Sequence, residues 1–228
     1  MEMAVSKTTV PALVCRELPP YVADGPETVR AAFQHADCSM LQQAWLAAPE
    51  TDFAPATVRV GWRGNSLRVF AELDDRDIFT RATAHNQRMW ELGDVLEIFL
   101  QPADSPAYVE LHVTPNNHRL QLRFPDVATL RRAQAADSFD DLILSDGVFD
   151  STTWLQPHQR QWQVHAEIPA VLVCGADKLP GEKPWRFSFS RYDYIGGRRE
   201  PVISSTSPHA RPDFHRLDEW GNLFFMGS

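Results

Sequence analysis

Glu97 and Glu110 stand in two neighbouring apolar segments, residues 95–100 and 108–113, where a plain hydrophobic core would carry no charge. Alternation of period 2 puts Leu96, Ile98 and Leu100 on one face of the first segment and Val95, Glu97 and Phe99 on the other. In the second, Val109, Leu111 and Val113 share a face opposite Tyr108, Glu110 and His112. If residues 101–106 form a hairpin loop, Glu97 comes close to Glu110, with Tyr108 and His112 beside them. Two carboxylates side by side repel unless a cation, a hydroxyl-rich ligand or water separates them. Such a pair could in principle hydrolyse glycosides. Acidic residues on a sheet face are more commonly solvated or matched by arginine, so binding without catalysis is the preferred reading.

Trp90 adds to this picture. It lies in HNQRMWELGD, a polar, turn-rich approach to a strand with no obvious core to join. An aromatic face beside acids suits a sugar, whose C–H side it covers while the carboxylates accept hydroxyl bonds. The alternative is that Trp90 folds back onto the sheet edge. Trp62, Trp162 and Trp185 alternate with apolar neighbours and read as core. The acidic run containing Asp74, Asp75 and Asp77 offers hard oxygen ligands for calcium, although Arg76 interrupts it and no EF-hand pattern is present; a solvated strand end is the competing reading.

Other chemistries lack their residues. There is no G-x-S-x-G elbow, no phosphate-binding glycine loop and no H-E-x-x-H. Three cysteines are too few for a disulfide framework, leaving a Cys15–Cys38 bridge as an open alternative and Cys174 as a small buried side chain. A formal net charge of −8 argues against a nucleic-acid surface. No apolar run approaches the roughly 20 residues that span a bilayer. The N-terminus has no basic start and no long apolar stretch, so it does not read as a signal peptide; cytoplasmic and processed, secreted origins both stay open.

The elements that must hold these residues are strands. A hydrophobic fraction of 43% with seven Trp and thirteen Phe marks a globular chain. Strand-like runs fall at 12–16, 58–62, 67–73, 95–100, 108–113, 119–124, 162–168 and 186–194, with a hairpin signal at Arg63-Gly64-Asn65-Ser66. The connections lack the amphipathic crossover helices of a parallel sheet. Short helices are expected at 27–34, 39–47 and 127–136. The fold class expected is all-β: an antiparallel two-sheet sandwich with a few short helices, a single domain over residues 1–228.

Taken in order, these pieces resemble the family 9 carbohydrate-binding modules and the broader DOMON-like group. Residues 21–26 (YVADGP) followed by Trp45 resemble the family's opening, and residues 67–77 (LRVFAELDDRD) its strand with an acidic turn. Residues 90–100 (WELGDVLEIFL) and 108–115 (YVELHVTP) resemble its central strands. Residues 162–169 (WQVHAEIP), 185–191 (WRFSFSR) and 214–224 (FHRLDEWGNLF) resemble the closing ones. The resemblance implies a β-sandwich that binds sugar ends between two tryptophans and carries structural calcium. Trp90 and Glu97 match one half of that clamp; the second tryptophan would fall at 203–208, where no aromatic stands. The expected ligand is a carbohydrate stacked on Trp90, with Glu97 and Glu110 accepting hydroxyl bonds. Arg191 would either donate to the ligand or neutralise the acidic pair. DOMON relatives that hold haem use Met and His ligands, which makes Met89 with His85, His112 or His118 the alternative site. A ligand-free interaction module is the third reading.

Overall fold

The hairpin signal at residues 63–66 closes β3 (Ala56–Arg63) onto β4 (Ser66–Asp74), with Arg63 paired to Ser66 across two loop residues. Gly64 takes φ +59° at the first of them, where such tight loops require glycine. The structure, a computed structural model, describes residues 9–181, 183–196 and 198–227. The other strands are β1 (Ala12–Glu17), β2 (Cys38–Met40), β5 (Val95–Pro102), β6 (Tyr108–Val113), β7 (Arg119–Phe124), β8 (Asp150–Gln156), β9 (Gln161–Pro169), β10 (Trp185–Asp193), β11 (Val202–Ser205) and β12 (Gly221–Phe225). Among the described residues three short α-helices accompany them: α1 (Pro26–Ala32), α2 (Val127–Ala136) and α3 (Ala170–Cys174).

The chain is mostly strand, as expected, but the sheet is mixed. It runs β7-β6-β5-β10-β12-β1-β3-β4-β9-β8 as one curled path, with β2 on β3 and β11 on β10. β1 is the reason. Its residues 12–15 pair in parallel with β12, and Arg16 and Glu17 then pair in parallel with β3. One strand thus joins the two halves and makes both junctions parallel, where hairpin-dense connections alone suggested antiparallel pairing throughout.

The two halves face each other across the main core. Leu96, Ile98 and Leu100 of β5 and Val109, Leu111 and Val113 of β6 pack there with Val58, Val60, Val69 and Val164 of the opposite half. Trp162 and Trp185 are buried in it, whereas Trp62 is half-buried and donates Nε1–H to the Met226 carbonyl. A second apolar cluster lies on the other face of β5–β7. Val95, Phe99, Tyr108, Leu120, Leu122 and Phe124 pack there against Leu130 of α2 and against Phe214 and Trp220. That covering layer takes an otherwise wet sheet face, and the carboxylates on it, out of solvent. A third cluster seats α1 on Phe70 through Val29 and Phe33.

Two of the expected helices form at 26–32 and 127–136. The expected helix at 39–47 does not. Cys38–Met40 pairs with β3, and Gln42 exchanges backbone bonds with Ser205, so strand pairing overrides the helix-forming residues there. All three cysteines are free: Cys15 is buried in the core, Cys38 is exposed and Cys174 is half-buried, so the Cys15–Cys38 bridge is not formed. Leu223 is buried, while Phe225 is half-buried with its ring edge-on to Trp185. Among the described residues no helix is long and apolar enough to cross a membrane.

Candidate functional site

Glu97 and Glu110 emerge on the face of β5 and β6 turned away from the main core. Glu97 pairs with His112 and Phe99 with Glu110, so the two carboxylates are diagonal neighbours on one face. Both are buried, at 3% and 5% exposure, and His112 between them is fully buried. His112 Nε2 lies 2.6 Å from Glu110 Oε1 and 3.4 Å from Glu97 Oε1. Burial, and secondly the charge of Glu110, push the Glu97 carboxyl well above its ordinary value. Burial alone would raise Glu110 as well, but His215 and His112 outweigh it and hold that carboxyl below its ordinary value. One face therefore carries two carboxyl groups driven apart in acidity.

Above them opens a cavity of about 420 Å³, within the range of small-molecule pockets. Trp90, Phe139, Tyr192 and His215 line it, with Arg88 and Arg131 among the charged lining residues. Trp90 sits in a short 3-10 turn ahead of β5 and meets His112 edge-on at 5.5 Å and Phe139 at 5.7 Å. Its backbone carbonyl accepts the Tyr194 hydroxyl, which ties the turn to the end of β10. Gly93 makes that turn possible. Its φ is +143°, and an added Cβ would lie 2.5 Å from the Phe79 carbonyl oxygen.

Tyr108 belongs to the same face but lies beneath the cavity. Fully buried and stacked on Phe124, it places its hydroxyl 3.0 Å from His215 Nδ1. Tyr108 and His112 are thus supports of the site rather than parts of its wall. Residues missed in the sequence are Tyr192, Phe139 and His215, brought in by β10, by the chain after α2 and by the segment ahead of β12. Alternation could have found the first, since it shares a face with Ser188 and Ser190 of β10.

Arg191 is not at this site. It pairs with Leu96, on the core side of β10, and is 1% exposed. Its guanidinium donates to the Asp74 carbonyl (2.6 Å) and to Asp75 Oδ2 (3.0 Å) and lies 3.2 Å from Asp193 Oδ2. It neutralises those aspartates and not the Glu97–Glu110 pair, because one step along a strand reverses the face.

The three aspartates expected to act together are likewise divided. Adjacent residues at a strand end point opposite ways, so Asp74 turns out to accept from Gln161 while Asp75 turns inward. Asp75 converges instead with Asp94 and Asp193, all three buried and with ligand atoms within 4.8 Å of one another. Asp77 meets Asp75 only through its backbone N–H. Burial raises Asp94 to about 8 and Asp193 to about 6. Asp75 and Asp193 outnumber the one guanidinium between them, and among the described residues Asp193 Oδ1 has no hydrogen-bond partner. These hard oxygens fit a calcium ion better than the run 74–77 does.

The haem donors do not converge. Met89 is buried in the second apolar cluster, and His85 packs edge-on to His118 at 5.2 Å while its Nδ1 accepts the Arg119 N–H. His112 Nε2 is turned to the two carboxylates.

No family model matches the sequence, and no curated protein matches it. Solved structures do. A candidate carbohydrate-binding protein from Bacteroides uniformis aligns with a TM-score of 0.71 and 15% identity, over 96% of this chain and all of that one. A family 9 carbohydrate-binding module from Caldicellulosiruptor kristjanssonii in complex with cellotriose aligns with a TM-score of 0.63 and 15% identity, over 96% of this chain and 95% of that one. The same organism's module in complex with glucose gives 0.65 and 15%, over 96% and 97%. The fold is that of the family 9 carbohydrate-binding modules.

Proposed function

We propose that this chain is one domain that binds a carbohydrate, preferentially the end of a sugar chain, without cleaving it. The observation that carries the reading is the cavity in which Trp90, Phe139 and Tyr192 surround Glu97 and Glu110. The aromatic rings take the apolar faces of a pyranose, and the carboxyl groups below them bond its hydroxyls. The shared fold with modules in complex with glucose and cellotriose supports the same ligand class. Hydrolysis is disfavoured by His112, whose Nε2 lies between the two carboxylates. A retaining glycosidase keeps its pair about 5 Å apart across the scissile bond, and here an imidazole fills that space.

A calcium ion at Asp75, Asp94 and Asp193 belongs to the same reading as a structural element. It would offset their mutual repulsion and give Asp193 Oδ1 a partner. Melting temperatures with calcium and with chelator test it, and equal values would remove the ion from the reading.

Titration calorimetry with glucose, cello-oligosaccharides and a panel of other mono- and disaccharides tests the sugar site. Wild type should bind, and Trp90→Ala should lose about 2 kcal/mol, roughly thirtyfold in affinity. Equal binding by the variant would move the site elsewhere. If wild type binds no sugar, the ligand-free interaction module becomes the better reading.

A further inference from the structure

Beneath the sugar-sized cavity, the described residues place no lysine or arginine in contact with Glu97 or Glu110. Arg88 pairs with Asp137 and Glu91, and Arg131 stands 3.9 Å from Asp213. Two nine-tenths-buried carboxylates therefore face each other with only imidazoles for partners. Among the described residues Glu110 Oε2 has no hydrogen-bond partner, and it lies 3.6 Å from His215 Nε2. Glu97 Oε1, Glu110 and His112 Nε2 already sit within 4.8 Å of one another.

We propose that Glu97, Glu110, His112 and His215 form a site for a small divalent transition-metal ion of the zinc type, at the floor of the cavity. The donor set is two carboxylates and two imidazoles, which suits zinc and its neighbours and not calcium, an ion that takes six to eight oxygens. Ligands about 2.0–2.1 Å from a tetrahedral centre stand about 3.3 Å apart. The 3.4 Å between Glu97 Oε1 and His112 Nε2 lies near that value; His215 stands outside the cluster of those three residues and must close in from its 3.6 Å approach to Glu110 Oε2. The shorter 2.6 Å contact between Glu110 and His112 is the hydrogen bond that the ion replaces.

The supports have the form that metal sites use. When His215 Nδ1–H donates to the Tyr108 hydroxyl 3.0 Å away, the Nε2 lone pair faces Glu110. Tyr108 is itself held by its stack on Phe124. Coordination through His112 Nε2 moves that ring's proton to Nδ1, which has no acceptor among the described residues. This unmade bond makes His112 the weakest of the four ligands. The proposal shares Glu97 and Glu110 with the sugar reading but does not depend on it, since the ion needs no sugar to bind.

The test is a titration of the full chain, stripped of metal and free of sugar, with zinc chloride by calorimetry and with cobalt(II) by its visible bands. Excess calcium in the buffer occupies the aspartate cluster. One equivalent should bind, with a dissociation constant on the order of micromolar or tighter. Glu97→Gln, which keeps shape and volume, and His215→Ala, at a half-buried position, should each weaken it by roughly tenfold or more. A His35→Gln/His158→Gln variant, altered at exposed positions, should bind as wild type does. No zinc uptake would overturn the proposal, as would unchanged affinity in both Glu97→Gln and His215→Ala, or loss of binding in the His35/His158 variant alone. A chain that binds zinc and no sugar keeps this proposal and loses only the other.

Discussion

Arg191 of β10 and Asp75 at the end of β4 form an ion pair with both side chains 1% exposed, Nη2 to Oδ2 at 3.0 Å. The guanidinium also meets Asp193 and the Asp74 carbonyl, so a single cation serves two buried carboxylates and one backbone acceptor. Removing it leaves Asp75 and Asp193 without their cationic partner. Arg191→Met should therefore destabilise the fold by about 3–5 kcal/mol in urea unfolding. Arg191→Lys should cost less but still be measurable, because an ammonium cannot hold the same three partners in one plane. A loss below about 1 kcal/mol in Arg191→Met would show that the aspartates do not depend on this charge.

His165 makes stability depend on pH. It is buried on β9, with Nε2 2.8 Å from the Tyr21 hydroxyl, and burial, followed by the charge of Arg68, lowers it to about 4. The unfolded chain takes up this proton near pH 6.5 and the folded chain only near 4. No penalty exists above about 6.5, and stability falls as pH drops from 6.5 towards 4, by on the order of 3 kcal/mol in total. Asp94 and Asp193, with raised values, contribute slopes of the opposite sign. The difference between wild type and His165→Gln isolates the histidine, and it should shrink as the pH falls through that window. A difference constant from pH 7 to 4 would contradict the assignment.

Gly93 should resist substitution. Its φ of +143° and the approach of Phe79 and Thr80 leave no space for a Cβ. The turn it allows lets both oxygens of Asp94 accept backbone N–H groups, from Phe79 and from Tyr194. Gly93→Ala should cost about 1–3 kcal/mol from backbone strain, with further loss if Asp94 shifts. It should also disturb Trp90, three residues upstream, which tryptophan fluorescence would register. An unchanged melting temperature would mean that the turn relaxes without cost.

Much of this was legible in the residues, and the failures share a physical cause. Alternation in residues 95–100 and 108–113 gave the correct faces, because a strand with one buried side tolerates no slip. The helix at 127–136 was legible too. Asp126 caps it through a 2.7 Å bond from Thr129 N, and Asp137 ends it at φ +49°. Arg191 was misplaced as a partner of the ligand or of the acidic pair, although Phe187 and Phe189 fix the odd-numbered residues of β10 inward. Asp94 was passed over because its partners Asp75 and Asp193 come from distant strands. The cover over β5–β7, which brings Phe139, Phe214 and His215 to the cavity, is long-range packing with no local signal. The parallel joins of β1 were hidden for the same reason.

The missing half of the aromatic clamp suggests a gain of binding. Ile203 of β11 lines the cavity and pairs with Tyr192 of β10, so a larger ring there would stand beside an existing aromatic wall. The residue is half-buried in the second apolar cluster, which leaves part of its face open to the cavity. Ile203→Trp should tighten sugar binding by about 1 kcal/mol, roughly fivefold, if the indole lies against the ligand's apolar face. The change adds volume beside Phe214, so some loss of stability is expected, and affinity must be compared at a temperature where both proteins are folded. Calorimetry with the sugar that wild type binds best is the measurement. Tighter binding that vanishes when Trp90→Ala is added would place both rings on one ligand. Weaker binding by a folded Ile203→Trp protein would mean that the indole fills the cavity itself, and that Tyr192 and Phe139 are the partners on which Trp90 depends.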